Sequence, residues 1–336
     1  MRIPAIVAAG DLRAAKAIYG ESKIYLELAG LPLVAHVVAV LQRVPEIEEV
    51  WVVGDAVRLQ RVFADADLAS QLRKPLHIVP QFRNLYENAW ETYRRLLAGP
   101  GSEGRDPEGA DLDRRVLYLS ADIPFATPQE ISEFVRRGAE LRCNYAVGLV
   151  TEESMEAFYA GSPGAAGIRM AYFNLYEGRF RQSNLHLVQP GRITNRYYIE
   201  EMYEHRYQKQ FGNIVGLAWR ILRIEEGGIR ILFYYALMHL AAVADRRGWR
   251  RLADWMRRFI PIARVEQALS TLLRASLRFV VTDVGGCAVD IDNEHDFDAA
   301  VARFDEWRSM QARRATELYG PLSLPPAASD TREADR

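Results

Sequence analysis

Short apolar runs alternate with segments of helical period through the amino-terminal part of the chain. The apolar runs are the candidate strands Ala5–Ala9, Val50–Val53, Leu76–Val79 and Val116–Leu119. Between them, apolar residues recur every three or four positions in the candidate helices Pro32–Val44, Leu59–Leu72 and Tyr86–Leu97. Strands separated by helices are typical of βαβ units. The pattern therefore predicts an α/β fold of three layers, α/β/α, around a mostly parallel sheet.

The later part of the chain carries further strand-like runs before a final helix. These candidate strands are Tyr145–Val150, Met170–Asn174, Phe180–Ser183, His186–Val188 and Phe279–Thr282. A closing segment, Cys287–Asp292, has the alternation of a strand, and a helix is predicted from His295 to Ala315. Gly99–Arg114 is rich in Gly, Pro and Asp and is predicted to be an exposed loop. We expect one domain over residues 1–320 and a flexible tail over 321–336.

A basic insertion at about residues 228–278 differs in character from the rest of this domain. It holds ten arginines and three acidic residues, a net charge of +7 in a chain whose formal charge is −1. An amphipathic helix is predicted near its middle. One face would carry Trp249, Leu252, Trp255, Met256 and Phe259, and the other Arg250, Arg251, Arg257 and Arg258. The apolar run before it, Ile231–Ala244, is shorter than the roughly 20 residues of a membrane span.

Three functions are open for this insertion. It can be a helical cap packed through its aromatic face, which is the ordinary role of such a face. It can contact a membrane surface or a lipid substrate, because aromatic rings opposite arginines suit the headgroup boundary. Nucleic-acid contact is the weakest of the three, since no known nucleic-acid-binding module is present. We therefore predict no nucleic-acid partner and a possible peripheral membrane contact.

Composition excludes several classes of protein. The chain is 49% hydrophobic and 10% aromatic, with 43 basic and 44 acidic residues, which excludes disordered and fibrous proteins. Cys143 and Cys287 are the only cysteines and have no metal-ligand spacing. The first residues, MRIPAIVAAG, lack the pattern of a signal peptide. We expect a cytoplasmic protein, with any membrane contact peripheral and at the inner face.

The candidate chemistry begins where the first strand ends. Ala8, Ala9 and Gly10 form a strand that runs into a glycine turn, where backbone N–H groups can bind phosphate oxygens. Lys23 follows and stands seven residues before Gly30-Leu31-Pro32-Leu33. Two later segments of the chain carry further candidate carboxylates. They are Ser120-Ala121-Asp122-Ile123-Pro124 and Val289-Asp290-Ile291-Asp292.

These segments together resemble the MobA-like and sugar-phosphate nucleotidyltransferases of the glycosyltransferase-A-like fold. That family usually shows A-G-G-x-G-x-R, then K-x-L-x-x-x-x-G-x-P-L, G-D-x-P and V-D-V-D. The resemblance implies that Lys23 and Arg13 contact the triphosphate and that Ala8, Ala9 and Gly10 line it. It implies Mg²⁺ held by Asp122 and Asp292, with Asp290 nearby. Less specific matches place Gln81 and Asn88 beside the base and Asn184 beside the acceptor.

Some of these positions have other interpretations. Asp122 could cap the helix after it, and a buried Asn184 could satisfy strand backbone instead of an acceptor. Lys16 competes with Lys23 for the phosphate role, although only Lys23 has the downstream spacing. Asp11 stands where the family has a second glycine. Either its carboxylate turns away, or it binds Mg²⁺, or the loop does not bind a triphosphate in the usual way.

The expected activity is Mg²⁺-dependent transfer of an NMP from an NTP to a phosphorylated acceptor, with release of pyrophosphate. The acceptor can be a small molecule or lipid-linked. A glycosyltransferase of the same fold would also need carboxylates at strand ends, and would take an NDP-sugar. A degenerate nucleotide-binding or membrane-recruited module is the third alternative, because Asp11 interrupts the loop and the insertion is basic. The fold by itself does not choose among them.

Overall fold

The structure is a computed structural model, and it describes residues 1–11, 17–162, 165–195 and 228–322 of the 336-residue chain. Its strands are β1 (Ile3–Ala9), β2 (Glu27–Leu28), β3 (Leu31–Pro32), β4 (Ile47–Gly54), β5 (Leu76–Pro80), β6 (Val116–Ser120), β7 (Tyr145–Thr151), β8 (Phe173–Asn174), β9 (Arg179–Val188) and β10 (Leu277–Thr282). Its helices are α1 (Leu33–Leu41), α2 (Ala56–Phe63), α3 (Ala66–Gln71), α4 (Leu85–Ala98), α5 (Pro128–Glu140), α6 (Glu152–Met155), α7 (Gly228–Arg246), α8 (Arg250–Arg257), α9 (Ile262–Leu273) and α10 (Glu294–Tyr319).

The central sheet has the strand order β10-β7-β9-β6-β1-β4-β5, with β8 paired to β9. Strands β1, β4, β5 and β6 are parallel, as are β7 and β10. Strand β9 runs antiparallel to both of its neighbours, β6 and β7. The carboxyl ends of the six parallel strands therefore lie along one edge of the sheet, and β9 begins at that edge.

Helices cover both faces of the sheet. Alternate residues of β1 face opposite sides: Val7 packs with residues of α1 and α5, whereas Ile6 packs with residues of α4. The alternation follows from the pleat of a strand, in which successive side chains point to opposite faces. Helix α9 covers β7 and β10 through Leu273 and neighbouring residues. The predicted three-layer α/β fold with a mostly parallel sheet is thus observed.

Several predicted elements differ in extent. The single helix predicted over Leu59–Leu72 is two helices, because the Asp65 carboxylate accepts from the N–H groups of Asp67 and Leu68 and begins α3 anew. The separate strands Phe180–Ser183 and His186–Val188 are one strand, β9. Strand β8 keeps only the last two residues of the predicted Met170–Asn174.

The closing segment was predicted to be a strand and is not one. It contains a 3₁₀ turn, Gly286–Ala288, followed by irregular backbone up to Asn293. The Ile291 N–H donates to the Asp122 carbonyl at 3.1 Å, so the segment crosses the sheet edge instead of joining the sheet. The alternation of Asp290 and Asp292 about buried Ile291 arises from this crossing.

The basic insertion forms α7, α8 and α9, and its last two residues, Leu277 and Arg278, belong to β10. Of the alternatives left open for the insertion, a cap packed through its aromatic face is not what the structure shows. Trp249, Leu252, Trp255 and Phe259 are exposed, and the buried positions are instead Ala253 and Ile260. No helix in the described part of the chain is long and apolar enough to cross a membrane. The predicted tail falls outside the described residues from position 323 onward.

Candidate functional site

A lysine between two carboxylates marks the carboxyl edge of the sheet, at the ends of β1 and β6. The Lys23 Nζ atom lies 2.7 Å from Asp292 Oδ1 and forms a second ion pair with Asp122. Asp122 is 4% exposed, and the Ser120 hydroxyl donates to its carboxylate. The structure therefore brings together three predicted site residues that the sequence holds far apart.

Local packing places each of these side chains. Lys23 begins a 3₁₀ turn, Lys23–Tyr25, which is anchored by the buried Ile24. Burial lowers the pKa of Lys23, but the two carboxylates outweigh it and the pKa lies above its ordinary value. Asp122 does not cap α5, since the Thr127 hydroxyl accepts from the Glu130 N–H and fulfils that role. The Asp122 carboxylate is thus left for the site.

Asp290 has a cationic partner of its own. The Arg181 Nη2 atom donates to Asp290 Oδ1 at 2.5 Å, and Arg181 Nε donates to the Ala288 carbonyl at 2.7 Å. Burial raises the pKa of Asp290 to about 6, Asp122 adds to the rise, and Arg181 opposes it. Asp290 therefore lies close enough to Asp122 to feel its charge.

The loop that carries Asp290 and Asp292 is held from behind by a buried glutamate. Glu130, fully buried in the first turn of α5, accepts from the Thr282 hydroxyl at 3.0 Å and from the Gly285 and Cys287 N–H groups, both at 3.1 Å. Burial raises its pKa, and these hydrogen bonds oppose the rise. The residue positions the loop without reaching the site.

Asn184, the predicted acceptor contact, is half-buried on β9 and faces the same loop. Its Nδ2 atom donates to the Cys287 carbonyl of that loop at 3.3 Å, and its role toward an acceptor stays a prediction. The sequence did not single out Glu130 or Arg181. An acidic residue in a first helical turn and an arginine on a strand are common, and no local signal marks a partner so distant in sequence.

The predicted phosphate loop follows β1. A Cβ atom at Gly10 would lie 2.6 Å from Asn88 Nδ2, so a larger residue would require this buried asparagine to move. The Asn88 Oδ1 atom accepts from the Phe82 N–H at 2.6 Å and fixes the backbone after β5. Ala8 is half-buried and the Ala9 side chain is buried in the core, which leaves their backbone as the part available to a ligand.

Asp11 is hydrogen-bonded to Gln81, which follows β5. Its N–H donates to Gln81 Oε1 at 2.9 Å, and Gln81 Nε2 donates to Asp11 Oδ1 at 2.7 Å. This pairing favours the first of the three alternatives for Asp11, and the choice among them stays a prediction. Gln81, predicted beside the base, thereby joins the ends of β1 and β5. Arg13 and Lys16 lie outside the described residues, so the predicted role of Arg13 stays a prediction.

The side chains at this edge fit a divalent cation with few protein ligands. Asp122 and Asp292 converge on one ammonium group, and hard carboxylate oxygens suit Mg²⁺, which keeps several of its waters. Within residues 1–11, 17–162, 165–195 and 228–322, no three His, Cys, Asp or Glu side chains are arranged to enclose a metal by themselves. A metal here would complete its shell from water or substrate.

Part of this chain is similar in sequence to a known protein. No protein-family model matches it. A 2-C-methyl-D-erythritol 4-phosphate cytidylyltransferase of Chlorobium luteolum is 24% identical over 121 residues, which cover 36% of this chain and 48% of that relative. The chain thus spans about half the length of the curated relative it matches.

Comparisons with solved structures cover more of this chain than the sequence match does. A hypothetical transferase from Thermus thermophilus has a TM-score of 0.51 at 22% identity, over 88% of this chain and 99% of its own. A 4-diphosphocytidyl-2C-methyl-D-erythritol synthase from Anaerococcus prevotii has a TM-score of 0.46 at 12% identity, over 90% and 96% of the two chains. The Thermus structure confirms the predicted fold.

Proposed function

We propose that this protein is a nucleotidyltransferase that joins the NMP of an NTP to a phosphorylated acceptor and releases pyrophosphate. One observation carries the proposal: Lys23, Asp122 and Asp292 meet at the carboxyl edge of β1 and β6, beside the turn at Gly10. Ligands of open α/β sheets bind outside the carboxyl ends of the strands. A cation and two carboxylates at that edge suit a metal-bound triphosphate.

The reaction needs positioning more than proton transfer. An oxygen of the acceptor phosphate attacks the α-phosphorus, the bond from that phosphorus to the bridging oxygen breaks, and pyrophosphate leaves with the electron pair. The acceptor phosphate is already ionised near neutral pH, so no general base is required. Asp122, Asp292 and Asp290 would hold Mg²⁺, which when bound neutralises charge on the phosphates.

Lys23 serves the triphosphate in this proposal. Its ammonium lies against two carboxylates in the structure, and phosphate oxygens offer a comparable anionic partner. Backbone N–H groups of the turn at Gly10, which follows β1, would bind phosphate oxygens. Arg13 is proposed as a second cation there. Gln81 and Asn88 would act on the base side mainly by shaping the loop between β1 and β5.

The curated relative guides the choice of substrates. Its name specifies cytidylyl transfer to a sugar-alcohol phosphate, and this chain matches about half of it. CTP and phosphorylated polyols are therefore the first substrates to test here. Membership of the MobA-like group remains part of the proposal, because it rests on the motif order alone.

A ligand panel tests the nucleotide. Melting temperature would be measured with CTP, ATP, GTP, UTP and NDP-sugars, each with and without MgCl₂, because a ligand that binds only the folded state stabilises it. We expect a Mg²⁺-dependent rise with one NTP, and a smaller rise in Asp122→Asn and Asp292→Asn. Asp305→Asn, on the exposed side of α10, is the matched control and should behave like wild type.

Two outcomes would overturn the proposal. A rise with NDP-sugars alone indicates the glycosyltransferase, and no rise with any nucleotide indicates a degenerate module. For the nucleotide that binds, pyrophosphate release with phosphorylated polyols and sugars measures turnover. Asp122→Asn should lower kcat by about 1000-fold, because it removes a charged metal ligand.

A further inference from the structure

Four large apolar residues of the insertion form an exposed row, called here the aromatic stripe. Trp249 is 54% exposed, Leu252 40%, Trp255 53% and Phe259 38%. The Trp255 and Phe259 rings are in edge contact, with centroids 5.0 Å apart. Exposed apolar residues grouped in this way mark an interaction surface.

The stripe is not the face through which α8 packs. Residues of a helix advance by about 100° each, so within α8 Leu252 and Trp255 lie within about 60° of each other, and Ala253 lies about 100° from Leu252. Phe259 and Ile260 follow the end of the helix, where Phe259 is exposed and Ile260 is buried. Ala253 and Ile260 are fully buried, and Ile260 packs with Leu149 and Phe180 of the sheet. Helix α8 thus has its core contact already, and the stripe is a second apolar face.

Arginines border the stripe on its solvent side. Arg250, Arg251 and Arg258 are exposed, and none forms an ion pair with a carboxylate among the described residues. Arg257, on the packing side, is different: it pairs with Asp245 and Asp254 and donates to Asn174 Oδ1 at 3.1 Å. The three exposed arginines therefore offer uncompensated positive charge beside exposed rings.

Residues next to the aromatic stripe are also exposed and apolar or basic. Phe233 and Leu240 of α7, the helix that packs on α8, are each 53% exposed. Arg247 lies 5.5 Å from the centroid of the Trp249 ring. The residues from 228 to 278 carry a charge of +7, whereas the remainder of the chain is acidic. A partner that has anionic groups beside an apolar layer would match these exposed arginines and aromatic rings.

We propose that the aromatic stripe and its arginines bind the surface of an anionic lipid membrane. Rings and a leucine would enter the boundary between headgroups and acyl chains, and the arginines would contact the anionic headgroups. Through Arg257 and Asn174, α8 attaches to β8, which pairs with the start of β9 at the site edge. The proposal stands whether or not the site transfers nucleotides.

Flotation of the full chain with vesicles tests the proposal. We expect binding to vesicles of phosphatidylcholine with 30% phosphatidylglycerol at low salt, weaker binding at high salt, and little binding to phosphatidylcholine alone. Arg250→Gln with Arg251→Gln and Arg258→Gln should lower the partition coefficient on the order of 100-fold, at several-fold for each arginine. Trp255→Ser with Phe259→Ser should abolish binding. All five positions are exposed, so the melting temperature should change little.

A matched control carries the same kinds of change away from the insertion. Val301→Ser with Arg313→Gln alters an exposed apolar residue and an exposed arginine of α10, and should bind vesicles like wild type. Quenching of tryptophan fluorescence by brominated lipid should occur in wild type and be reduced in Trp249→Phe with Trp255→Phe. Absence of binding to the anionic vesicles at low salt overturns the proposal. So does equal binding by the control and the arginine variant, or a concentration-dependent dimer that the stripe variants abolish without any vesicle binding.

Discussion

Cations in two regions of this molecule have opposite surroundings. At the sheet edge, Lys23 and Arg181 are mostly buried and each meets carboxylates. On α8 and at its C-terminal end, Arg250, Arg251 and Arg258 are exposed and form no carboxylate pair within the described residues. Buried charges need partners with fixed geometry, because leaving one unpaired is costly. Exposed charges need none.

This difference in pairing suggests two kinds of recognition: paired cations suit the binding of one small molecule, and exposed arginines suit the binding of a surface. The paired cations hold Asp122, Asp290 and Asp292 in set directions, which suits a small ligand with several phosphates. The exposed arginines can adjust to anions at many positions, which suits lipid headgroups. Four predictions test whether pairing has the energetic importance that this contrast assigns to it.

The largest effect is expected at Lys23. Lys23→Ala should lower kcat by about 1000-fold, equivalent to about 4 kcal/mol, and should raise KM for the NTP less, because a cation there stabilises developing charge on the phosphates. Steady-state kinetics with the competent substrate pair measures both constants. Lys16→Ala is the comparison and should do less. If Lys16→Ala were the more damaging change, Lys23 would not be the phosphate cation.

Glu130 comes next. Glu130→Ala would leave the Gly285 and Cys287 N–H groups and the Thr282 hydroxyl without their acceptor in a buried place. The free energy of unfolding in urea should fall by about 3 to 4 kcal/mol. Glu133→Ala in the same helix, whose carboxylate pairs with Arg136 and Arg137 near the surface, should cost less. Equal losses in the two variants would deny Glu130 its role in holding the loop.

His186 is a third kind of basic group, enclosed with a tyrosine instead of a carboxylate. Its Nδ1 atom lies 2.9 Å from the Tyr145 hydroxyl, and burial lowers the pKa of His186 to about 4. The folded state therefore favours the neutral ring. The stability this group contributes is complete above its unfolded pKa of about 6.5 and is lost as the pH falls towards 4.

His186→Gln removes that titration while keeping a hydrogen-bonding side chain. The variant should lose about 3 kcal/mol less unfolding free energy than wild type between pH 7 and pH 4, measured by urea titration at each pH. Identical pH profiles for the two proteins would show that the ring is solvated well enough to be charged in the folded state.

The smallest effect compares two arginines of one helix. Arg257→Met removes the pairs with Asp245 and Asp254 and should reduce the unfolding free energy by about 1 kcal/mol. Arg251→Met should change it by less than about 0.5 kcal/mol. In vesicle binding the order should reverse, with Arg251→Met the more harmful. The same order in both measurements would remove the distinction between paired and exposed arginines.

The sequence predicted the parts of the fold that depend on local pattern. An apolar run such as Val116–Leu119 is sufficient to predict a buried strand, and Asp122 after it is a strand-end carboxylate at the sheet edge. The contributions of Glu130 and Arg181 were not predictable, because their partners come from the loop before α10. The sequence grouped the aromatic stripe on one face but left open whether that face is packed or exposed, since periodicity shows which residues share a face and not which face is buried.

One consequence follows from where the insertion joins the sheet. Val188 of β9 and Leu277 of β10 both pair with Tyr145 of β7, one on each side. The chain therefore leaves and re-enters the sheet at points about 10 Å apart, two strand spacings. A long excursion with such close ends can diverge as a module while the strands that frame it keep their register. Its inner surface is constrained by Ile260 and Leu273 in the core, and its outer surface is not. Substitutions on that outer surface can therefore change what the segment contacts without moving the side chains of Lys23, Asp122 and Asp292 at the sheet edge.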